Sequence, residues 1–141
     1  MSGKPRKILR ISQAQYDKMH NEVSRCAPEE ACGIIAGING RAERVYVIAN
    51  ALHSPTAYRM EAVEQIAAFL EIERKHQEIL AIFHSHPTGP EAPSETDLAE
   101  FAYPGVLTMI WFPKAGDWDC RVFSIEEMTM IEVELIINEN E

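Results

Sequence analysis

Two histidines separated by one residue, His84 and His86, are the strongest chemical signal in this sequence. They end the run EILAIFHSH at residues 78–86, which predicts a buried strand. In a strand, residues i and i+2 point to the same face, so both imidazole rings can converge on one point. Imidazole and carboxylate groups suit Zn²⁺, and a catalytic zinc ion commonly has three protein ligands and a water molecule. The pair therefore predicts a metal site that needs a third ligand.

Asp97 is the candidate for that third ligand. The loop between His86 and Ser94 is rich in proline and glycine, so it can return the chain to the end of the strand. An alternative needs no metal: two polar residues can simply end a strand, while Ser94 caps a helix and Asp97 favours the first turn of that helix. The two interpretations of Asp97 are compatible, because a helix start beside the strand end can direct a carboxylate toward the histidines.

A zinc hydrolase also needs a group that moves protons, and Glu30 is the candidate. It directly precedes the apolar run ACGIIAG at residues 31–37, so burial at a strand start can tune its acidity. Spacing alone does not distinguish Glu30 from Glu29, and a solvated loop glutamate is the alternative for either residue.

These residues together resemble the JAMM (MPN-plus) zinc metallopeptidases. Glu30-Ala31-Cys32-Gly33 is similar to the family's E-x-C-G segment, and His84-Ser85-His86-Pro87 with Ser94 and Asp97 is similar to its H-S/T-H-P-x6-S-x2-D pattern. The resemblance implies one Zn²⁺ per chain, with His84, His86 and Asp97 as ligands. It also implies that Glu30 is the general acid/base on the zinc-bound water and that Ser94 donates to the oxyanion of the tetrahedral intermediate.

The segment at residues 50–59 resembles a stretch in the compact prokaryotic members of this family, including peptidases of sulfur-carrier proteins. This resemblance implies hydrolysis of a peptide or isopeptide bond after the C-terminal Gly-Gly of a ubiquitin-like or sulfur-carrier protein, either as deconjugation or as release of a C-terminal cysteine. One alternative is a non-catalytic MPN-type scaffold, which is expected to lack a ligand. Another is a hydrolase that depends on Cys32. A zinc deaminase would need H-x-E with P-C-x-x-C, which this sequence lacks.

The remaining pattern predicts a single mixed α/β domain spanning residues 1–141, with one largely antiparallel sheet flanked by helices. The family resemblance implies the MPN/JAB1 fold, which is cytidine-deaminase-like. Strands are expected at 7–11, 31–37, 44–50, 78–86, 106–112, 119–125 and 129–137, and helices at 12–25, 62–75 and 94–102. In the second helix, Val63, Ile66, Ala67 and Leu70 form an apolar stripe that is expected to cover one face of the sheet.

Composition limits the possible partners. The chain has 141 residues, of which 46% are apolar, and a net charge of −9 that argues against nucleic acid as a partner. No apolar run approaches 18 residues and the start lacks a secretory signal, so we expect no membrane association and a cytoplasmic protein. The three cysteines show no C-x-x-C spacing and are expected to be free thiols.

Overall fold

The computed structural model describes residues 7–100 and 105–139 of the chain. The strands in this part are β1 (Ile8–Ser12), β2 (Cys32–Ile38), β3 (Arg41–Ile48), β4 (Glu78–Ser85), β5 (Leu107–Lys114), β6 (Asp117–Glu126) and β7 (Thr129–Asn138), and the helices are α1 (Gln13–Cys26), α2 (Ala62–Arg74) and α3 (Glu95–Glu100). The order and type of the elements predicted from the sequence are confirmed, with bounds that differ by a few residues. The end of the helix predicted at 94–102 lies outside the described residues.

The sheet closes into a barrel with the strand order β1-β3-β2-β4-β5-β6-β7. Closure comes from β1, which pairs in parallel with β7 along its whole length and with β3 only at Arg10 and Arg41. The prediction of a sheet simply flanked by helices is therefore wrong, whereas its mixed and largely antiparallel character is confirmed. The pairing that closes the barrel joins the two ends of the described chain, and local sequence patterns carry no information about such a contact.

The hairpins use two-residue turns whose residues both have positive φ, the type I′ geometry that matches strand twist. Asn39 (φ 53°) and Gly40 (φ 76°) connect β2 to β3, as their sequence predicts. Glu127 and Met128 connect β6 to β7 with the same geometry but without a glycine, so this turn had no sequence signal.

Helix α1 packs as its sequence predicts. The Ser12 hydroxyl accepts from the Gln15 backbone N–H, and the Gln15 side chain accepts from the Ser12 N–H, which completes a capping box. Met19 and Val23 of this helix are fully buried against the sheet.

Helix α2 does not pack as predicted. Val63, Ile66 and Leu70 are 73%, 57% and 63% exposed, so the expected buried stripe faces solvent. The helix instead buries Ala68 and Ile72, with Gln65 and Phe69 half-buried beside them in a second stripe of the same helical spacing. The prediction followed the larger side chains, whereas the small Ala68 lets the helix approach the sheet closely.

The barrel wall separates two hydrophobic clusters, and the alternation of β4 decides which residues face each. Phe83 packs with Leu9, Trp111 and Val122 in one cluster, while Ile82 packs with Ile34, Ile48 and residues of α2 in the other. By the two-residue period of a strand, His84 shares the face of Ile82. The histidines therefore lie on the side of the sheet that α2 covers. None of the helices in the described residues is long and apolar enough to cross a membrane.

Candidate metal centre

His84 and His86 are held by the strands on both sides of β4. His84 lies opposite Cys32 of β2 and Ile110 of β5 and is 2% exposed. His86 follows the last residue of β4, and its backbone N–H donates to the Trp111 carbonyl oxygen at 2.8 Å. Both imidazole rings are therefore fixed by backbone pairing, and their Nε2 atoms are 3.1 Å apart.

Asp97 reaches the histidines from the first turn of α3. The Ser94 hydroxyl accepts from the Asp97 N–H at 3.1 Å, and the Asp97 carboxylate accepts from the Ser94 N–H at 2.8 Å. This reciprocal pair caps the helix, as the sequence predicted for Ser94. The same carboxylate lies 3.3 Å from His84 Nε2 and 3.1 Å from His86 Nε2. The cap thus directs Asp97 toward the strand end. Asp97 takes part in the helix cap and also faces the two histidines, so the two interpretations of this residue are compatible.

The donor atoms of His84, His86 and Asp97 fit a zinc ion. Ligands at about 2.0–2.1 Å in a tetrahedron are separated from one another by about 3.3 Å. The two Nε2 atoms are 3.1 Å apart, and each lies beside a different Asp97 oxygen, at 3.3 Å for His84 and 3.1 Å for His86. These separations are close to those between the ligands of one zinc ion. Among the residues that the structure describes, these three form the one cluster of histidine, cysteine or acidic side chains with the geometry to hold a metal.

Hydrogen bonding orients the His86 ring for this role. His86 Nδ1 lies 2.8 Å from the Pro90 carbonyl oxygen, which can only accept, so the proton is on Nδ1. When His86 is neutral, its Nε2 lone pair faces His84 and Asp97, which is how metal-binding histidines are commonly oriented. The Pro90 contact thus favours, for the neutral ring, the tautomer that can bind metal through Nε2.

The charges in the cluster compensate one another. Burial lowers the pKa of His84, which favours the neutral ring. Burial also lowers the pKa of His86, but hydrogen bonds to Asp97 and Pro90 outweigh it and leave that pKa above its usual range. For Asp97, burial raises the pKa, whereas hydrogen bonds from both histidines hold it well below its usual range. The cluster therefore offers an ionised carboxylate and a neutral His84 imidazole.

Glu30 is distinguished from Glu29 by its surroundings. The Glu30 side chain is 5% exposed and lines the same cavity as the metal cluster, whereas Glu29 is on the surface, 3.2 Å from His53. Burial raises the pKa of Glu30 to about 7, with the nearby charge of His86 opposing the shift and that of Asp97 adding to it. A carboxyl with this pKa can both accept and release a proton near neutral pH.

Two residues that the sequence interpretation gave no role keep the Glu30 segment beside the histidines. The Ser85 hydroxyl accepts from the Ala31 N–H at 2.8 Å, and the Ser85 N–H donates to the Ala31 carbonyl oxygen at 3.1 Å. Gly33 allows β2 to approach closely, because a Cβ at this position would overlap the Phe83 ring and the Tyr46 carbonyl oxygen. A small polar residue between two histidines in an otherwise apolar strand was the available signal for Ser85.

The cluster and Glu30 open into one cavity of about 520 Å³. Its wall includes Thr56, Ala57 and Tyr58 from the segment between β3 and α2. The Tyr58 ring stacks on His84 with centroids 4.6 Å apart and an angle of 26° between the ring planes. The sequence analysis placed Tyr58 in the segment at residues 50–59 but gave it no role, because its contact with His84 joins distant parts of the chain.

Cys32 does not have the surroundings of a nucleophile. Its thiol is fully buried and lies 3.3 Å from the Ile48 carbonyl oxygen, to which it donates. Burial raises the pKa of this thiol to about 12, so the reactive thiolate is scarce at neutral pH. These observations weigh against the alternative of a Cys32-dependent hydrolase.

Comparison with known proteins places the chain in a family. Residues 12–125 match the family described as prokaryotic homologs of the JAB domain. A desampylase from Pyrococcus furiosus is 32% identical over 108 residues, which cover 77% of this chain and 76% of that protein. A CysO-cysteine peptidase from Mycobacterium bovis is 40% identical over 93 residues, which cover 64% of each chain.

A solved structure extends the comparison to the fold. The solution structure of a protein from Desulfitobacterium hafniense has a TM-score of 0.83, 28% identity and coverage of 94% of both chains. The family match and the relatives confirm the family resemblance predicted from the sequence. The chain therefore belongs to the family of prokaryotic JAB-domain proteins, the JAMM-type peptidases that its sequence motifs resemble.

Proposed function

We propose that this chain is a zinc-dependent peptidase that hydrolyses the peptide or isopeptide bond after the C-terminal Gly-Gly of a small ubiquitin-like or sulfur-carrier protein. The observation that carries this proposal is the convergence of His84, His86 and Asp97 beside the buried Glu30 in one cavity. The names of the relatives, a desampylase and a CysO-cysteine peptidase, support this substrate class. The single domain over residues 1–141 and the cytoplasmic location stay predictions from the sequence.

His84, His86 and Asp97 would hold the zinc ion through Nε2, Nε2 and a carboxylate oxygen. A bound zinc ion supplies Lewis-acid chemistry, because it lowers the pKa of a water ligand and polarises a carbonyl group. The non-catalytic scaffold is disfavoured, since it predicts a missing ligand and all three side chains are present and in contact.

Glu30 would act as the general base and then as the general acid. Its carboxylate takes the proton of the attacking water and later delivers it to the nitrogen of the leaving amine. Burial supports this role, because a carboxyl with a pKa of about 7 is partly protonated at neutral pH and can therefore both accept and donate a proton. Ser94 would donate a hydrogen bond to the oxyanion. Its oxygen already accepts from the Asp97 N–H, and its O–H group is still available as a donor.

The test uses a small ubiquitin-like protein extended by Gly-Gly-Cys and the zinc-loaded chain. We expect loss of the terminal cysteine, seen by mass spectrometry as a product ending in Gly-Gly. A matched carrier with Ala-Ala in place of Gly-Gly should remain intact, and a strong chelator should stop the reaction. Cleavage that resists the chelator and is abolished by thiol alkylation would instead favour Cys32 as the nucleophile.

A further inference from the structure

Asn50 uses every hydrogen-bonding position of its side chain. The residue is 7% exposed and follows β3 by two positions. Its Nδ2 donates to the carbonyl oxygens of Glu30 at 3.1 Å and Ala57 at 3.0 Å. Its Oδ1 accepts from the N–H groups of Leu52 at 3.0 Å and Arg59 at 3.1 Å. Both donors and both acceptors of the amide are therefore satisfied by backbone groups.

Glu30 depends on these contacts because it lies outside the strand ladder. Strand β2 begins only at Cys32. The Glu30 carbonyl oxygen accepts from Asn50, and its N–H donates to the Ser54 carbonyl oxygen at 2.9 Å. Both of these backbone hydrogen bonds lead to the segment at residues 50–59. The peptide groups of Glu30 are therefore held by this segment, while the neighbouring Ala31 is held by Ser85 of β4.

The same segment forms a wall of the cavity, with Tyr58 stacked on His84. The Asn50 amide hydrogen-bonds to the Glu30 backbone and also to three backbone groups of this wall. A single side chain therefore links the backbone of the proposed proton-transfer residue to the wall. Small displacements of such groups are costly, because proton transfer requires heavy atoms within hydrogen-bond distance.

We propose that Asn50 is a positioning residue for the proposed hydrolysis, which acts through Glu30 and through the cavity wall at residues 51–59. This inference rests on the proposed function of Glu30. The four hydrogen-bonding positions of the Asn50 amide are taken by backbone groups of residues that are not proposed zinc ligands, so zinc binding is expected to survive its replacement.

The test is a double-mutant cycle between Asn50 and Glu30 with the zinc-loaded chain and the carrier ending in Gly-Gly-Cys. Asn50→Ala should lower kcat by roughly 10–100-fold in the otherwise native chain. In the Glu30→Gln background the same replacement should lower kcat by less than about 3-fold, because the group it positions is already gone. If Asn50→Ala merely reduced the amount of folded or zinc-loaded protein, it would lower kcat by the same factor in the native and the Glu30→Gln backgrounds.

Two further variants keep the inference testable if Asn50→Ala folds poorly. Asn50→Asp retains the acceptor for Leu52 and Arg59 but loses the donor to Glu30, so it should preserve zinc content and still lower kcat. Val133→Ala, in the buried part of β7 and outside the cavity lining, serves as the control for a general loss of stability and should leave kcat unchanged.

Equal losses of kcat in both backgrounds would show that Asn50 supports only the fold, and the inference would be wrong while the proposed function stands. Wild-type turnover in Glu30→Gln itself would remove the proposed role of Glu30, and the inference about Asn50 would fail with it, whereas the proposed hydrolysis would stand.

Discussion

Histidine and carboxylate side chains meet at three places in the described part of this chain, and only one has the geometry of a metal site. His20 lies 2.7 Å from Asp117, and His53 lies 3.2 Å from Glu29. Both contacts are as short as those of the cluster formed by His84, His86 and Asp97. Contact distance therefore does not identify the functional group.

The pairs differ in burial and in the number of converging donors. The side chains of His53 and Glu29 are 74% and 41% exposed, whereas His84 is 2% exposed and Asp97 16%. Exposed ion pairs are screened by water and contribute little. A buried cluster of three donors is costly to desolvate, and a cation that all three can bind offsets this cost.

The largest expected effect comes from removing the buried histidines. The double variant His84→Ala/His86→Ala should lose its zinc and its activity, because Asp97 alone leaves too few ligands for tight binding. The control His20→Ala/His53→Ala removes the same number of imidazoles from the exposed pairs and should retain about one zinc per chain. Elemental analysis of both purified proteins checks this. Stoichiometric zinc in the first variant would show that the ligands are assigned wrongly.

A second comparison uses two neighbouring glutamates, one buried and one exposed. Glu30→Gln should keep zinc but lower kcat by about 10²–10⁴-fold, because the amide preserves the size of the side chain and cannot accept the proton. Glu29→Gln is the matched control and should change kcat little. Steady-state rates at saturating zinc measure both. A normal rate for Glu30→Gln together with a loss for Glu29→Gln would reverse the assignment.

A third prediction separates the two roles of Ser94. As a helix cap alone, Ser94→Ala should cost on the order of 1 kcal/mol of stability with little direct effect on rate. As an oxyanion donor, the same change should also cost roughly 10²–10³-fold in kcat. Ser94→Asp restores the cap without the hydroxyl, so we expect it to recover the unfolding midpoint and leave turnover low. Recovery of both quantities would contradict the oxyanion role.

The sequence predicts which candidate residues lie together, because the signals for them are local. Two histidines on one face of a strand, and a serine three residues before an aspartate, have geometries that follow from strand and helix periods. Asn50 was not predicted, because its importance lies in hydrogen bonds to Glu30, which is 20 residues away. The structure adds residues in contact with the candidate groups, which the sequence had already named.

The errors in the predicted fold also come from contacts between distant parts of the chain. The helix at 62–75 was correctly placed, but two stripes with the same spacing compete in it, and hydrophobic size favoured Val63, Ile66 and Leu70 over the buried Ala68 and Ile72. Which stripe is buried depends on the surface that the helix meets. Barrel closure through β1 and β7 is likewise a contact between remote segments, and local periodicity does not predict such contacts.

The smallest expected effect concerns the pH dependence of stability in the metal-free protein, again with Glu29 as the reference for Glu30. In the folded chain burial raises the pKa of Glu30 to about 7 from an ordinary value of 4.5. Between these pH values Glu30 keeps its proton in the folded state and loses it in the unfolded state. The contribution of Glu30 to stability is therefore complete below pH 4.5 and is lost as the pH rises through about 7.

Because Gln does not titrate, the free energy of unfolding of the native chain minus that of Glu30→Gln should fall across this window and level off above it. The fall should be on the order of 1 kcal/mol, since water in the cavity screens part of the shift. Denaturant unfolding with chelator present, repeated at several pH values, measures this difference. The contributions from titration of His84, His86 and Asp97 cancel to first order, because both proteins contain these residues. Glu29→Gln should follow the native curve. A difference that stays flat from pH 4.5 to 7 would mean that Glu30 is not held in the buried setting from which its role in proton transfer is inferred.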